Sequence, residues 1–284
     1  MALSIVEGRT NPPARVVLYG PSGSGKSTWA CGAPDVLALD AENGLDQIGP
    51  RRVIAPSSWI ESLCVLKEMC AGQGSHRTVV IDTVDKLEEQ AIVAVCKEGK
   101  KASIEDFGYG SGWEAVLTKW RELLFLLEAA RPAGRQVILV AHVQSKIQDD
   151  PMLGKYDKFI AAISKRCWGV THRWADAVLF ATYEQGLIEG RAIMTGERLL
   201  YTTAATGFDA KNRWKLPPVL PLSWSAFDEA RRSASRPAEE IVASIRSLST
   251  AETRQKAEEF IKEAGGDVPR LVSIETALKK KVTT

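Results

Sequence analysis

Residues 15–28 read RVVLYGPSGSGKST. A short apolar run, fit for a buried strand, leads into Gly20-Pro21-Ser22-Gly23-Ser24-Gly25-Lys26-Ser27, and Thr28 carries on into a helical segment. The eight residues fill the pattern G-x-x-x-x-G-K-[ST] with strand before and helix after. Its glycines let successive backbone N–H groups turn inward on phosphate oxygens, the helix N-terminus adds partial positive charge, and Lys26 reaches the outer phosphates. The Ser27 hydroxyl is placed to ligate Mg²⁺. The alternative is a chance glycine-rich loop, but strand, motif and helix in this order point to a nucleoside triphosphate site.

Outward from this stretch, similar apolar runs recur at 35–40 (DVLALD), 77–82 (RTVVID) and 135–142 (RQVILVAH). Between them, WIESLCVLKEMC and GWEAVLTKWRELLFLLEAA have helical period. The alternation predicts an α/β fold, a mostly parallel central sheet flanked by helices. After residue 143 the polar stretch VQSKIQDDPMLGKYDKF predicts a flexible segment, then a helix with Ile160, Ile163, Cys167, Val170 and Trp174 on one face. DAVLFATYE and RLLYTTA predict added edge strands. A capping-box pattern from Ser249 to Glu252 and a GGDVP turn between two amphipathic segments predict a small helical appendage. The expected division is a core over residues 1–224 and a C-terminal helical region over 225–284.

Composition narrows the class. With 45% hydrophobic and 25% charged residues the chain is ordinary for a globular protein, and a net charge of +2 confines any nucleic-acid site to a local patch. The five cysteines are scattered without a CxxC pair, which argues against a disulfide framework or a zinc site and for a reducing cytoplasm. MALSIVEGRTNPPARVV lacks an apolar signal region and no run approaches a membrane span, so a soluble cytoplasmic protein is expected.

Two strand ends carry the remaining acids. Asp82 closes TVVID, where a buried strand would deliver its carboxylate to the sheet edge beside the phosphate loop as a second partner for the metal; capping the next helix is the alternative. In LALDAENGLD, residues 37–46, Asp40 and Glu42 precede a sharp Asn43-Gly44 turn. A carboxylate there can orient or activate water near a terminal phosphate; equally, both could solvate the loop or cap a helix starting near Leu45.

LALDAENGLD resembles the strand-end segment of RecA-type recombinases, whose D-A-E-x-x-L-D sequence carries the glutamate that activates the attacking water. The resemblance implies that role for Glu42 and leaves Asp40 as a strand-end or loop-shaping acid. IEDFGYGSGW, ILVAHVQSK, WADAVLFATYE, TGERLLYT and FDAKNRWKLP together are similar to the phage-encoded RecA-like ATPases of the Sak recombinase group, over roughly residues 10–230. That likeness implies a RecA-like P-loop core using ATP and Mg²⁺ in a host bacterial cytoplasm. It also implies that His142 or Gln144, after the VILVA strand, senses the γ-phosphate; a satisfied structural role is the alternative for each. Lys211 and Arg213 in DAKNRW would neutralise charge at a neighbouring subunit's nucleotide, the alternative being a solvated basic turn.

Two segments are candidates for single-stranded DNA. Phe107 and Tyr109 lie between glycines in KEGKKASIEDFGYGSGW, where an aromatic ring could move onto a base. QSKIQDDPMLGKYDKF carries Lys146, Lys155 and Lys158, diluted by Asp149, Asp150 and Asp157, so a plain surface loop also fits. The leading expectation is an ATP-dependent recombinase that binds single-stranded DNA, assembles head to tail into a filament or ring, and promotes pairing or annealing, with a single-strand-binding protein as a further partner. A RecA-type hexameric helicase or loader motor, and a small-molecule kinase, are the alternatives.

Overall fold

The computed structural model describes residues 11–188, 191–250 and 253–282. Its strands are β1 (Arg15–Tyr19), β2 (Val36–Asp40), β3 (Arg52–Ile54), β4 (Thr78–Asp82), β5 (Gln136–Ala141), β6 (Val143–Asp150), β7 (Gly154–Ala161), β8 (Ala177–Ile188), β9 (Arg191–Tyr201), β10 (Lys211–Asn212) and β11 (Val219–Pro221). The helices are α1 (Lys26–Cys31), α2 (Trp59–Ala71), α3 (Val84–Glu98), α4 (Ser111–Glu128), α5 (Lys165–Trp174), α6 (Trp224–Ser235), α7 (Ala238–Leu248), α8 (Arg254–Ala264) and α9 (Val268–Val282). Among the described residues no helix is long and apolar enough to cross a membrane.

The central sheet runs β11-β9-β8-β1-β5-β4-β2-β3, with β10 paired to β8. From β8 to β3 every neighbour is parallel; β9, β10 and β11 add antiparallel pairs. Parallel strands in register bring their C-terminal ends to one edge: Tyr19 is level with Ala141, and Asp40 and Asp82 are level with Val140, one residue earlier. The strand of the phosphate loop and the strand of Asp82 are not adjacent, because β5 lies between them. Its end therefore feeds His142 into the gap.

Strand alternation divides the core into two layers. Val17, Tyr19, Leu39, Ile81 and Leu139 face α2, α3, α4 and α5; Val16, Leu18, Ala38, Val80 and Ile138 face α1 and α6. In the second layer Trp29 of α1 meets Trp224 and Phe227 of α6 at ring separations of 4.9 and 5.2 Å. Helices α7, α8 and α9 close on a separate cluster of Ile241, Ile245, Ala257, Ala264 and Leu271. Arg236 donates to Glu275 at 2.9 Å in the same region, and Gly265, in the left-handed conformation, ends α8 within the GGDVP turn.

Several local expectations are corrected. The polar stretch after residue 143 is a β-hairpin, β6 against β7, because its side chains alternate across two paired strands. Ile160 is consequently in β7, and the following helix begins only at Lys165, where the Ser164 hydroxyl accepts from Cys167 N–H as an N-cap. β8 is no edge strand: its near-continuous apolar start pairs directly with β1 inside the sheet. Ser249 opens no helix; its hydroxyl donates to the Ile245 carbonyl and finishes α7, while Glu252 lies outside the described residues.

Candidate active site

The phosphate loop is fixed by close approach. A Cβ at Gly20 would fall 2.0 Å from the carbonyl oxygen of Ala181 on β8, so only glycine lets β1 leave the sheet there. Gly25 has φ 99°, open to glycine and costly to other residues, and it starts α1. The Lys26 ammonium is buried and donates to the carbonyls of Gly20 and Pro21, each at 2.9 Å. Burial lowers its pKa, against the opposing charges of Asp82, Asp85 and Glu42.

A cleft of about 340 Å³ opens at this edge, lined by Ser22, Gly23, Gly25, Lys26, Ser27 and Thr28 from the loop and by Asp40, Glu42, Asp82, Thr83, His142 and Arg198 from elsewhere. Gly20, Pro21 and Ser24 complete the loop behind it. The Asp82–Thr83 peptide bond is cis. Asp82 is buried at 6% exposure. Burial pushes its carboxyl above the ordinary range and the charges of Glu42 and Asp40 push the same way, while a hydrogen bond from Ser27 and the charge of Lys26 oppose them.

Hard oxygen donors with excess negative charge suit Mg²⁺. Ser27 and Asp82 would hold the ion, which when bound shields phosphate charge.

Asp40 and Glu42 separate into different tasks. Asp40, 2% exposed, accepts from the backbone N–H groups of Gly44 and Leu45 at 3.0 and 3.2 Å, fixing the turn and the burial of Leu45. Glu42 instead reaches across to the strand of Asp82: the Thr83 hydroxyl donates to Glu42 Oε1 at 2.9 Å. His142 Nδ1 lies 2.9 Å from Asp85 Oδ2 and 3.5 Å from Glu42 Oε1. The backbone N–H of His142 also donates to Asp85 Oδ1 at 3.0 Å, so one carboxylate grips both main chain and ring. With Nδ1 protonated toward Asp85, Nε2 is the ring atom left for the cleft.

Thr83, Asp85 and Arg198 were not apparent from the sequence as site residues. Asp85 had a signal: in IDTVD it follows the strand-ending Asp82 by three residues, at the start of a helix that leaves the same sheet edge. Arg198 had none, since only the pairing of β9 with β8 brings it over the loop.

Other candidates lie apart from the cleft. Gln144 donates to the carbonyls of Ala161 and Ile163 and closes the base of the β6–β7 hairpin, leaving His142 as the strand-end residue that faces the loop. Lys211 donates to the carbonyls of His172 and Ala175 at 2.7 and 2.9 Å, the C-terminal carbonyls of α5. Arg213 pairs with Asp176 at 2.9 Å. Both are thus engaged by their own chain at the N-terminal edge of the sheet, opposite the phosphate loop.

The segment before α4 follows helix α3. Phe107 packs into the core there, its ring filling the space beside Gly99 and Gly112, because a half-buried ring is worth more against α3 and α4 than in water. Tyr109 is fully exposed, with φ 53°. On the hairpin, Lys146 and Lys158 are direct cross-strand partners on one face with Tyr156, whereas Lys155 opposes Asp149 on the other. Lys158 also lies 3.7 Å from Asp209.

A parallel sheet whose first strand opens a glycine-rich phosphate loop, with a buried aspartate on a facing strand end, defines a P-loop NTPase. The AAA-domain family model matches residues 12–214, from just before β1 to just beyond β10, and the chain belongs to that family. Among curated proteins, none matches.

Proposed function

We propose that the protein hydrolyses ATP with Mg²⁺ and couples the reaction to single-stranded DNA, as a recombinase of the Sak type that pairs or anneals homologous strands. The carrying observation is the position of Glu42. Its carboxylate accepts from the Thr83 hydroxyl and lies beside His142, in the same cleft as Lys26 and Asp82. A carboxylate so placed can take the proton of a water attacking the terminal phosphorus, while Lys26 and the loop N–H groups stabilise the charge that gathers on the phosphate oxygens.

Coupling to DNA runs through β5. His142 faces the cleft, and the very next residue, Val143, starts the hairpin that carries Lys146 and Lys158 on one face. Loss of the γ-phosphate would change what His142 contacts and so the posture of that hairpin. Lys146 and the exposed Tyr109 are the residues we assign to the DNA backbone and a base, and subunits would assemble head to tail along the strand.

Fluorescence anisotropy of a labelled single-stranded oligonucleotide tests the reading. Binding should strengthen with a slowly hydrolysed ATP analogue, weaken with salt and ignore sequence. Equal affinity for single and double strands in both nucleotide states would rule it out. DNA-independent transfer of the γ-phosphoryl group to a small acceptor, without release of inorganic phosphate, would instead favour a kinase.

A further inference from the structure

The β8–β9 ribbon lies against the phosphate loop from the side opposite β5. Tyr183, near the C-terminal part of β8, donates its hydroxyl to the carbonyl of Gly23 in the loop at 2.7 Å. Arg198 is its direct partner on β9, and the Arg198 guanidinium carbon sits 5.6 Å from the centre of the Tyr183 ring. A register shift between Tyr183 and Gln185 interrupts the ladder beside this pair, a feature that re-aims side chains. On its other side the Arg198 carbonyl accepts from Leu222 N–H at 2.9 Å, so the backbone that carries the arginine is tied to both neighbours.

The arginine is aimed at the loop. A Cβ placed on Gly25 would come within 3.0 Å of Arg198 Nη1. The guanidinium carbon lies over the Tyr183 ring, and Arg198 lines the cleft together with Lys26, Ser27 and Asp82. Among the described residues Arg198 forms no ion pair, whereas Arg15 and Arg213 at the far edge of the sheet are both paired with Asp176. An exposed arginine directed into a site built for polyphosphate has the geometry and charge for phosphate oxygens.

We propose that Arg198 is a second cation for the triphosphate, supplied by the same chain that supplies the loop. The proposal rests on reading the cleft as an ATP site. Charge supports it: Mg²⁺ offsets about half of the charge on ATP, and Lys26 adds one positive charge in a cleft that Asp40, Glu42 and Asp82 also line, so a second cation is favoured there. Arg198 is the guanidinium lining that cleft. The same contact would make the long β8–β9 ribbon responsive to nucleotide, since Tyr183 and Arg198 join it to the loop at two points.

The test is equilibrium binding of a fluorescent ATP analogue to the full chain, with Mg²⁺, at several salt concentrations. Wild type should bind, Lys26→Ala should not, and Arg198→Ala should raise Kd about tenfold and flatten its salt dependence. Arg198→Lys should fall between wild type and Arg198→Ala, and Tyr183→Phe, which removes only the hydroxyl on Gly23, should weaken binding less than Arg198→Ala. Thermal melts of the two Arg198 variants should match wild type, because Arg198 is exposed. Binding lost in Lys26→Ala but unchanged in Arg198→Ala would overturn the role of Arg198 alone. No binding by wild type would overturn the ATP site and the assignment of Arg198 together.

Discussion

Two aspartates sit at opposite edges of the same sheet, equally buried at 6% exposure, and the protein treats them in opposite ways. Asp176, just before β8 at the N-terminal edge, loses solvation on burial, yet hydrogen bonds and charge from Arg15, with Arg131 behind, hold its carboxyl below the ordinary range. Asp82, ending β4 at the C-terminal edge, is desolvated beside Glu42 and Asp40 and is pushed above it. Burial alone therefore says little about what a carboxylate does. The company it keeps separates a group that fastens strands from one prepared to take a cation from solution.

Breaking the loop's own cation should give the largest contrast. Lys26→Ala is expected to lower ATP affinity by about a hundredfold or more while leaving the fold intact, because among the described residues its ammonium donates only to two loop carbonyls. Calorimetric titration alongside a thermal melt would read both. At the other edge the weights reverse. Asp176→Ala strips Arg15, Arg131 and Arg213 of their shared carboxylate and should cost about 3 kcal/mol in denaturant unfolding, with ATP affinity of the folded protein unchanged.

Asp82→Asn sharpens the comparison, since removing a charge that burial disfavours should raise the melting temperature of the nucleotide-free protein by roughly 2 °C. The same change should abolish the Mg²⁺ dependence of ATP binding. A fall in melting temperature would mean that the Ser27 hydrogen bond and the charge of Lys26 outweigh the cost of burying the Asp82 anion. Smallest is Lys211→Met, which uncaps α5 at a cost of about 0.5 kcal/mol. A large loss of ATPase activity in that variant, measured with the fold intact, would restore Lys211 to a role at a neighbour's nucleotide.

Acid should separate the two edges as well. Because the folded pKa of Asp82 is raised, the folded state binds its proton more tightly than the unfolded chain does. Lowering the pH through the interval above the ordinary aspartate value thus favours the fold locally while removing the anion that Mg²⁺ requires. Asp176 has the reverse sign: its stabilisation is complete above the ordinary value and is lost only as pH falls through its depressed folded value. In the nucleotide-free protein Asp82 should accordingly take up its proton at a higher pH than Asp176 does, followed by NMR titration of the two carboxyl groups.

Legibility from sequence followed how local each signal is. The phosphate loop, the strand ends at Asp40 and Asp82 and the four buried strands β1, β2, β4 and β5 are contiguous patterns, and they stand where periodicity puts them. The β6–β7 hairpin was hidden because alternating polar side chains look like a loop when neither face carries an apolar stripe. Lys211 and Arg213 looked like free cations, since nothing in DAKNRW shows that the end of α5 and Asp176 lie beneath them. Arg198 reaches a loop more than a hundred residues earlier in the chain only through antiparallel pairing with a strand that itself lies against β1.

The account turns on Glu42, the acid that the Thr83 hydroxyl holds beside His142 in the cleft. Phosphate release from Mg·ATP by wild type and Glu42→Gln, with ATP affinity measured on the same samples, examines it directly. The expected result is an affinity within about threefold of wild type and a turnover at least about a hundredfold lower. Equal turnover in the two proteins, with ATP bound in both, would contradict the assignment of Glu42 as the group that activates water.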